Sequence, residues 1–398
     1  DDDFSIAEAM AVQGDSILAV GSNDEILNTY KVNETIDLAG KPVYPGFIDA
    51  HCHFYSYGLS LQKVDLNECQ SFDEVLDSLI RASESLEDGE WLIGKGWDQN
   101  KWPSKEFPDR TRLDSLFPYR PVFLTRIDWH AALVNEVALK KAGIDQSTEV
   151  EGGDIEKQNG ELTGILVDNA VDLVQEVIPE PDADQKHKAL MDAQENCFAV
   201  GLTTVSDASL EADWVETIKQ EQAAGNLKMR IYGMLNASED NLANIEKGVH
   251  KTDDLHLGAI KLFADGALGS RGACLLEPYN DRPDQQGFLL EDTAHFHKWA
   301  KIAKEHGFQL NTHAIGDSAC RTMLNVYKDY LAPGNDKRWR IEHCQIVHPD
   351  DLDTFGKYNI LPSVQPSHAT SDMKWAGDRL GKERLKTAYA YKELLAQN

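Results

Sequence analysis

The sequence predicts an α/β protein organised as a parallel barrel, on three observations. Apolar strand-like runs alternate with amphipathic helical stretches such as "DEVLDSLIRASESL" and "CRTMLNVYKDYL", the pattern of βα units around a parallel sheet. Seven of these runs have the length and composition of barrel strands. Histidines close several of them, at the strand ends where barrel enzymes collect catalytic groups.

Taken in order, residues 1–45 read as a small β module. "AMAVQG" and "ILAVGS" flank the turn residues Asp15 and Ser16, and "IDLAGKPVYPG" follows with turn signals at Gly40 and Pro45-Gly46. Residues 46–398 carry the barrel, with candidate strands "VYPGFIDAHCH", "GLTTVSDA", "MRIYGMLN", "LGAIKLFADG", "FQLNTHAIGD", "WRIEHCQ" and "NILPSVQPSH". Between the first and second, from about residue 58 to about residue 180, lie further strands ("EWLIGKGWD", "PVFLTRID", "GELTGILVD") and helices. That stretch reads as an α+β insertion into the first βα connection, where barrel loops form the mouth.

The chain has 67 Asp and Glu against 39 Lys and Arg, a net charge of −28. Such a surface repels phosphate backbones and anionic lipid, which argues against nucleic-acid and membrane partners. No apolar run approaches the ~20 residues of a membrane span. Six scattered cysteines without a C-x-x-C pair read as free thiols of a reducing compartment. "DDDFSIAEAM" lacks the segments of a signal peptide. The expected setting is cytoplasmic, with export of a longer precursor left open by a trimmed N-terminus. The expected partner is a small-molecule substrate, and a homodimer is the default assembly on base rates.

Side chains two apart on a strand share a face, so Asp49, His51 and His53 converge while Cys52 faces away. Convergent imidazoles suit a metal ion; one satisfied core histidine beside one exposed histidine is the plain alternative for this pair. His313 closes "FQLNTH" and His343 closes "WRIEH", and four imidazoles at C-terminal strand ends favour the metal. Glu342 points away from the His343 face if that strand is regular, and is assigned to structure. Lys261 is a cation inside the apolar run "LGAIKLFADG". Burying an unpaired ammonium is costly, so it needs a partner such as Asp265, a shifted pKa or a modification. Addition of CO2 to the neutral amine would give a carbamate, an anionic oxygen ligand able to bridge two metal ions.

Five ordered blocks, "PGFIDAHCH", "GAIKLFADGALGSRGACL", "NTHAIGDSA", "RWRIEHCQ" and "PSVQPSHATSD", resemble the amidohydrolase superfamily, specifically its YtcJ-like branch of metal-dependent hydrolases (amidohydrolase family 3). "DSILAVGS" and "IDLAGKPVYPG" are similar to that superfamily's β-sandwich lead-in. The resemblance implies a distorted (β/α)8 TIM barrel with a flanking small β-sandwich domain, residues 1–45 being its N-terminal part. Position by position, His51 and His53 match the first-strand ligands, Lys261 the carboxylated bridging lysine, and His313 and His343 the ligands after the fifth and sixth strands. Lys261, His313 and His343 are carried over as catalytic.

The resemblance further implies one or two divalent ions, zinc by expectation, that activate hydroxide against a C–N bond of amide type, N-formyl or N-acyl, outside peptides. A mononuclear deaminase of a ring amidine, with Lys261 unmodified, and a non-catalytic regulatory or binding barrel are the alternatives. The superfamily's proton-shuttling aspartate follows an eighth strand. Only seven strands are counted, so that strand, its aspartate and the rest of the sandwich are expected to lie beyond this sequence, with Asp372 the nearest acidic stand-in.

Lesser candidates fill in the pocket. Trp97, Asp98 and Trp102 in "KGWDQNKWP" and His130 in "IDWHAALVN" read as substrate-pocket walls and a polar contact, against the alternative of subdomain core. Asp265 and Arg271 would orient substrate or pair with each other. Asp317 suits a helix N-cap. Asp207 and Gln365 close the second and seventh strands as hydrogen-bond partners behind the ligands, and Gln365 is placed with the substrate-binding residues too.

Overall fold

Residues 6–127, 131–150 and 153–397 are described in the computed structural model, whose chain divides into residues 1–45 and 46–398. In the first unit, β1 (Ala9–Gln13) and β2 (Ser16–Gly21) pair antiparallel. A helix over Asn23–Thr29, unforeseen in the sequence, follows at once. Its start is set by Ser22, whose hydroxyl accepts from the Glu25 amide at 3.2 Å, satisfying an orphan donor of the first turn.

The second unit opens with β3 (Phe47–Cys52). The chain then builds β4 (Val64–Asp65), β5 (Leu92–Trp97), β6 (Val122–Arg126), β7 (Ala131–Val134), β8 (Gly153–Gln158) and β9 (Glu161–Asp168). These form one mixed sheet in the order β4-β5-β6-β7-β9-β8. Helix Phe72–Ser83, capped by Ser71, covers one face of it with Val75, Leu76 and Leu79 packed against Leu66 and Leu124. Helices Glu136–Lys141 and Asn169–Gln175 cover the other through Ala138, Leu139, Val171 and Val174.

The chain returns with β10 (Leu202–Leu210), β11 (Arg230–Asn236), β12 (His250–Lys251), β13 (Leu255–Phe263), β14 (Gln309–Ala314), β15 (Arg340–His343) and β16 (Leu361–Ser363). Seven parallel strands lie in the order β3-β10-β11-β13-β14-β15-β16, with β12 a short antiparallel addition to β13. Arg340 on β15 donates to the Ala50 carbonyl on β3 at 3.2 Å, so the sheet curls until its sixth strand reaches its first. The result is a nearly closed barrel, and its seven strands are the seven runs counted in the sequence.

Periodicity divides each strand between two environments. On β13, Ile260 and Leu262 join the outer core beneath helices Ala212–Ala223, Thr293–His306 and Asp317–Tyr330, while Ala259 packs inside with Ala208 and Met234. Helix Phe54–Leu61 lies tightly on helix Ala183–Ala199: a Cβ on Gly58 would stand 2.1 Å from the Ala189 carbonyl oxygen. Among the described residues no helix is long and apolar enough to cross a membrane.

Candidate metal centre

Strand register brings the site together. Lys261 lies beside Asn311, Phe263 beside His313, and His313 beside Glu342. In parallel strands such neighbours share a face, so Lys261, Asn311, His313 and Glu342 all turn inward with Lys261 and Asn311 one layer deeper. His51 ends the same way on β3, and His53 follows as the exposed N-cap of helix Phe54–Leu61. His343 is different. It pairs with Ala314, which places it on the outward face of a regular strand, yet its φ is +74° and that of Cys344 is +44°. Two successive residues in the left-handed region turn the His343 ring into the barrel mouth, at a cost of order 1–3 kcal/mol each. Ring centroids then stand 4.8 Å apart for His51 and His343, 4.6 Å for His313 and His343, and 5.6 Å for His51 and His53.

Three of the four imidazoles spend Nδ1 on a group that can only accept. His51 Nδ1 meets the Glu342 carboxylate at 2.7 Å, His53 Nδ1 meets the Ala208 carbonyl at 2.8 Å, and His343 Nδ1 meets Gln365 Oε1 at 2.6 Å. Gln365 is oriented by its own Nε2, which donates to the Ser363 carbonyl at 3.1 Å. Each contact assigns the proton to Nδ1 and leaves the Nε2 lone pair free, the arrangement of a metal-ligating histidine. His313 Nε2 has no hydrogen-bond partner; the nearest carboxylate oxygen, on Asp265, is 3.6 Å away, too far for a hydrogen bond.

Electrostatics keeps the His313 and His343 rings neutral. Burial first, then the Lys261 charge, pushes His313 down to about 3. Burial and the surrounding imidazoles push His343 down to about 2. Lys261 is 0% exposed, its Nζ has no hydrogen-bond partner, and burial pushes it down to about 8 despite the Glu342 charge. Burial works to raise Glu342, but the His51 hydrogen bond and the Arg340 charge hold it down at about 2.

The donor set fits a divalent cation on two grounds. Free imidazole nitrogens are the ligands such an ion takes. Lys261 Nζ, His313 Nε2 and both side-chain polar atoms of Asn311 are buried without partners on two adjacent strands, where unpaired polar groups are expensive unless something fills the gap. As the side chains stand, no three His, Cys, Asp or Glu residues among those described form a closed ligand cage.

The structure relocates several residues singled out in the sequence. Glu342 does not point away from the histidines: register puts it inside, 2.7 Å from His51 Nδ1, and the backbone twist at His343 voids the regular-strand argument that separated the two. Trp97 is 1% exposed in the core of the inserted sheet, donating Nε1 to the Leu124 carbonyl at 2.8 Å, and Trp102 packs beside it. Both are buried in the subdomain core, because the face of the sheet they occupy is covered by helix Phe72–Ser83. Asp98 pairs with Arg126 at 3.2 Å. His130 lies outside the described residues.

Asp265 and Arg271 do not pair with each other. Arg271 grips Asp281 at 2.7 Å. The Asp265 carboxylate accepts from the amides of Ile315, Gly316 and Cys274 at 3.0, 2.8 and 2.9 Å, and burial pushes it up to about 7 against those donors. Gln365 faces His343, and Asp207 accepts from the amides of Phe54 and Tyr55. The N-cap of helix Asp317–Tyr330 is Gly316, and Asp317 takes the Leu276 amide at 2.8 Å.

Two residues escaped the sequence reading. Asn311 lies two positions before His313 on the same face, a signal that was available. His368, within "PSHATSD", has its ring 5.4 Å from that of His343 and its Nδ1 on Gln345 Nε2; it sits on a helix after the seventh strand, where strand-end counting does not look.

Comparison with known proteins agrees with this geometry. Residues 34–398 match the sequence profile of the Amidohydrolase family, and the chain belongs to that family. It is 35% identical to the putative amidohydrolase YtcJ of Bacillus subtilis over 98% of this chain and 75% of that protein. It is 29% identical to N-substituted formamide deformylase of Arthrobacter pascens over 86% of this chain and 66% of that protein. The crystal structure of an uncharacterized metal-dependent hydrolase from Pyrococcus furiosus superposes with a TM-score of 0.83 at 29% identity, covering 98% of this chain and 79% of that one.

Proposed function

We propose that this chain is a metal-dependent hydrolase that cleaves an amide-type carbon–nitrogen bond, N-formyl or N-acyl, in a small molecule. The observation that carries the proposal is that Nδ1 of His51, His53 and His343 each faces an acceptor, while the buried Nε2 of His313 has no partner. His51, His53, His313 and His343 would hold one or two divalent ions, zinc in this proposal. Lys261 would join them as a carbamate: its neutral amine adds CO2 and loses a proton, which exchanges a buried cation for an anionic oxygen ligand. When bound, the ion supplies Lewis acidity and lowers the pKa of water toward ~7.

The chain's own residues do the rest of the preparation. Burial keeps His313 and His343 unprotonated across the neutral range, so protons do not compete for their lone pairs. Glu342, Ala208 and Gln365 hold three rings in fixed orientation. Asp265 pins the turn that follows His313 to the loop that follows Lys261. The amide-type bond is favoured by the deformylase relative, whose substrate class is a formamide. Six cysteines without disulfides support a cytoplasmic setting.

Metal analysis of the chain, with activity against N-formyl, N-acyl and cyclic amides, tests the proposal. Lys261→Ala should abolish turnover, and short-chain carboxylic acids should restore part of it by standing in for the carbamate. A wild-type protein that takes up no zinc or cobalt would sink the proposal.

A further inference from the structure

A buried ion pair, Arg340 with Glu342, is spent on one histidine. Arg340 and Glu342 stand two apart on β15, so both face the barrel interior. Glu342 is 0% exposed, with Oε2 2.7 Å from His51 Nδ1 and Oε1 2.6 Å from Arg340 Nη2. The same Arg340 Nη2 donates to the carbonyl of Ala50, the residue before His51, at 3.2 Å. His51 is therefore held at its ring by the carboxylate and at its backbone by the guanidinium that carries the carboxylate. His53 and His343 rest on neutral acceptors, a carbonyl and an amide oxygen.

We propose that Glu342, backed by Arg340, is the positioning residue that sets His51 as a ligand and fastens the first strand to the sixth across the barrel. The inference rests on the metal-centre reading for what His51 binds, but not for how His51 is held. A carboxylate on Nδ1–H fixes the ring's tautomer and plane, and raises the electron density at Nε2, which strengthens it as a donor. The Arg340 charge offsets that of Glu342, so the arrangement brings an anion to the ring without burying an unbalanced one. Ala50 matters because β3 pairs through its ladder with β10 alone among the described strands, and the Arg340 hydrogen bond ties down its other side.

The test separates positioning from stability. In metal-free wild-type protein, 15N NMR of labelled histidines, with His51 assigned by the signal lost in His51→Asn, should show the Nδ1–H tautomer at His51. The double variant Arg340→Met/Glu342→Leu replaces both partners by apolar groups of similar length, a change that buried ion pairs often tolerate without unfolding. It should lose that tautomer preference and bind zinc ~10–100-fold more weakly in chelator competition. Glu342→Gln, which keeps a neutral acceptor, should fall between. A wild-type His51 protonated at Nε2, or a double variant that binds zinc as tightly as wild type, would overturn the proposal. Absence of zinc binding by the wild type would overturn the metal reading instead, and the tautomer in the metal-free protein would still decide how His51 is held.

Discussion

Replacing Asp265 should loosen the loop after β13 from the turn after β14, and the structure sets the size of the effect. The carboxylate is 1% exposed and accepts three backbone amides, from Ile315, Gly316 and Cys274. In Asp265→Ala all three lose their acceptor. A buried donor left unsatisfied costs ~1–3 kcal/mol, so three set an upper range of ~3–9 kcal/mol. Water admitted to the space left by the carboxylate would reclaim part of this, and ~4 kcal/mol is the expected loss. Asp265→Asn gives up one acceptor but no longer carries a buried charge, and should cost ~1 kcal/mol.

Urea unfolding of the metal-free protein should therefore rank wild type above Asn above Ala. Hydrogen exchange should quicken at Ile315, Gly316 and Cys274 in the Ala variant, and in the Asn variant only at the amides that faced the lost oxygen. Because the Asp265 carboxylate is already engaged by three backbone amides, the Asn variant should retain its metal. An Ala variant within ~1 kcal/mol of wild type would refute the reasoning that the three amides depend on this carboxylate. An Asn variant of full stability that loses its metal would show that Asp265 serves as a ligand and not as a pin.

Two further outcomes are expected. Gly316→Ala would place a Cβ 2.0 Å from the Cys274 carbonyl oxygen and 2.5 Å from its carbon; these are backbone atoms that cannot rotate away, so overpacking should cost at least ~1–3 kcal/mol, read as a lowered melting temperature, and an unchanged melt would show that the approach is not tight. Asp281 takes Arg271 and Arg379, and the Arg271 hydrogen bond holds its carboxyl below the usual range. A carboxyl depressed in the folded state stabilises above its unfolded pKa, and that contribution fades as pH falls through the folded value. Asp281→Asn should thus cost ~1 kcal/mol at pH 7, with the gap closing below about pH 4; a gap that persists in acid would contradict an ionic origin.

What could be read in one dimension follows from periodicity and chemical cost. An apolar run long enough to be a buried strand announces itself whatever packs on it, which is why all seven barrel strands were legible. Lys261 was legible because a cation in such a run demands an explanation. Histidines at strand ends were legible because a barrel has one chemically busy rim. The aromatic residues of the insertion were not separable in this way: Trp97 satisfies the same pattern as a pocket wall or as core, and only the helix laid over that face of the sheet decides between them.

The sequence by itself determined the parallel barrel, the residues that end its strands and the family to which the chain belongs, because these depend on local pattern and on residue chemistry. Only the tertiary structure decided which side chains meet. Glu342 enters the site because β15 pairs in register with β14, and His343 enters it because two successive residues adopt positive φ. Register and backbone strain are both set by contacts distant in the chain, so neither leaves a trace in the spacing of residues along it.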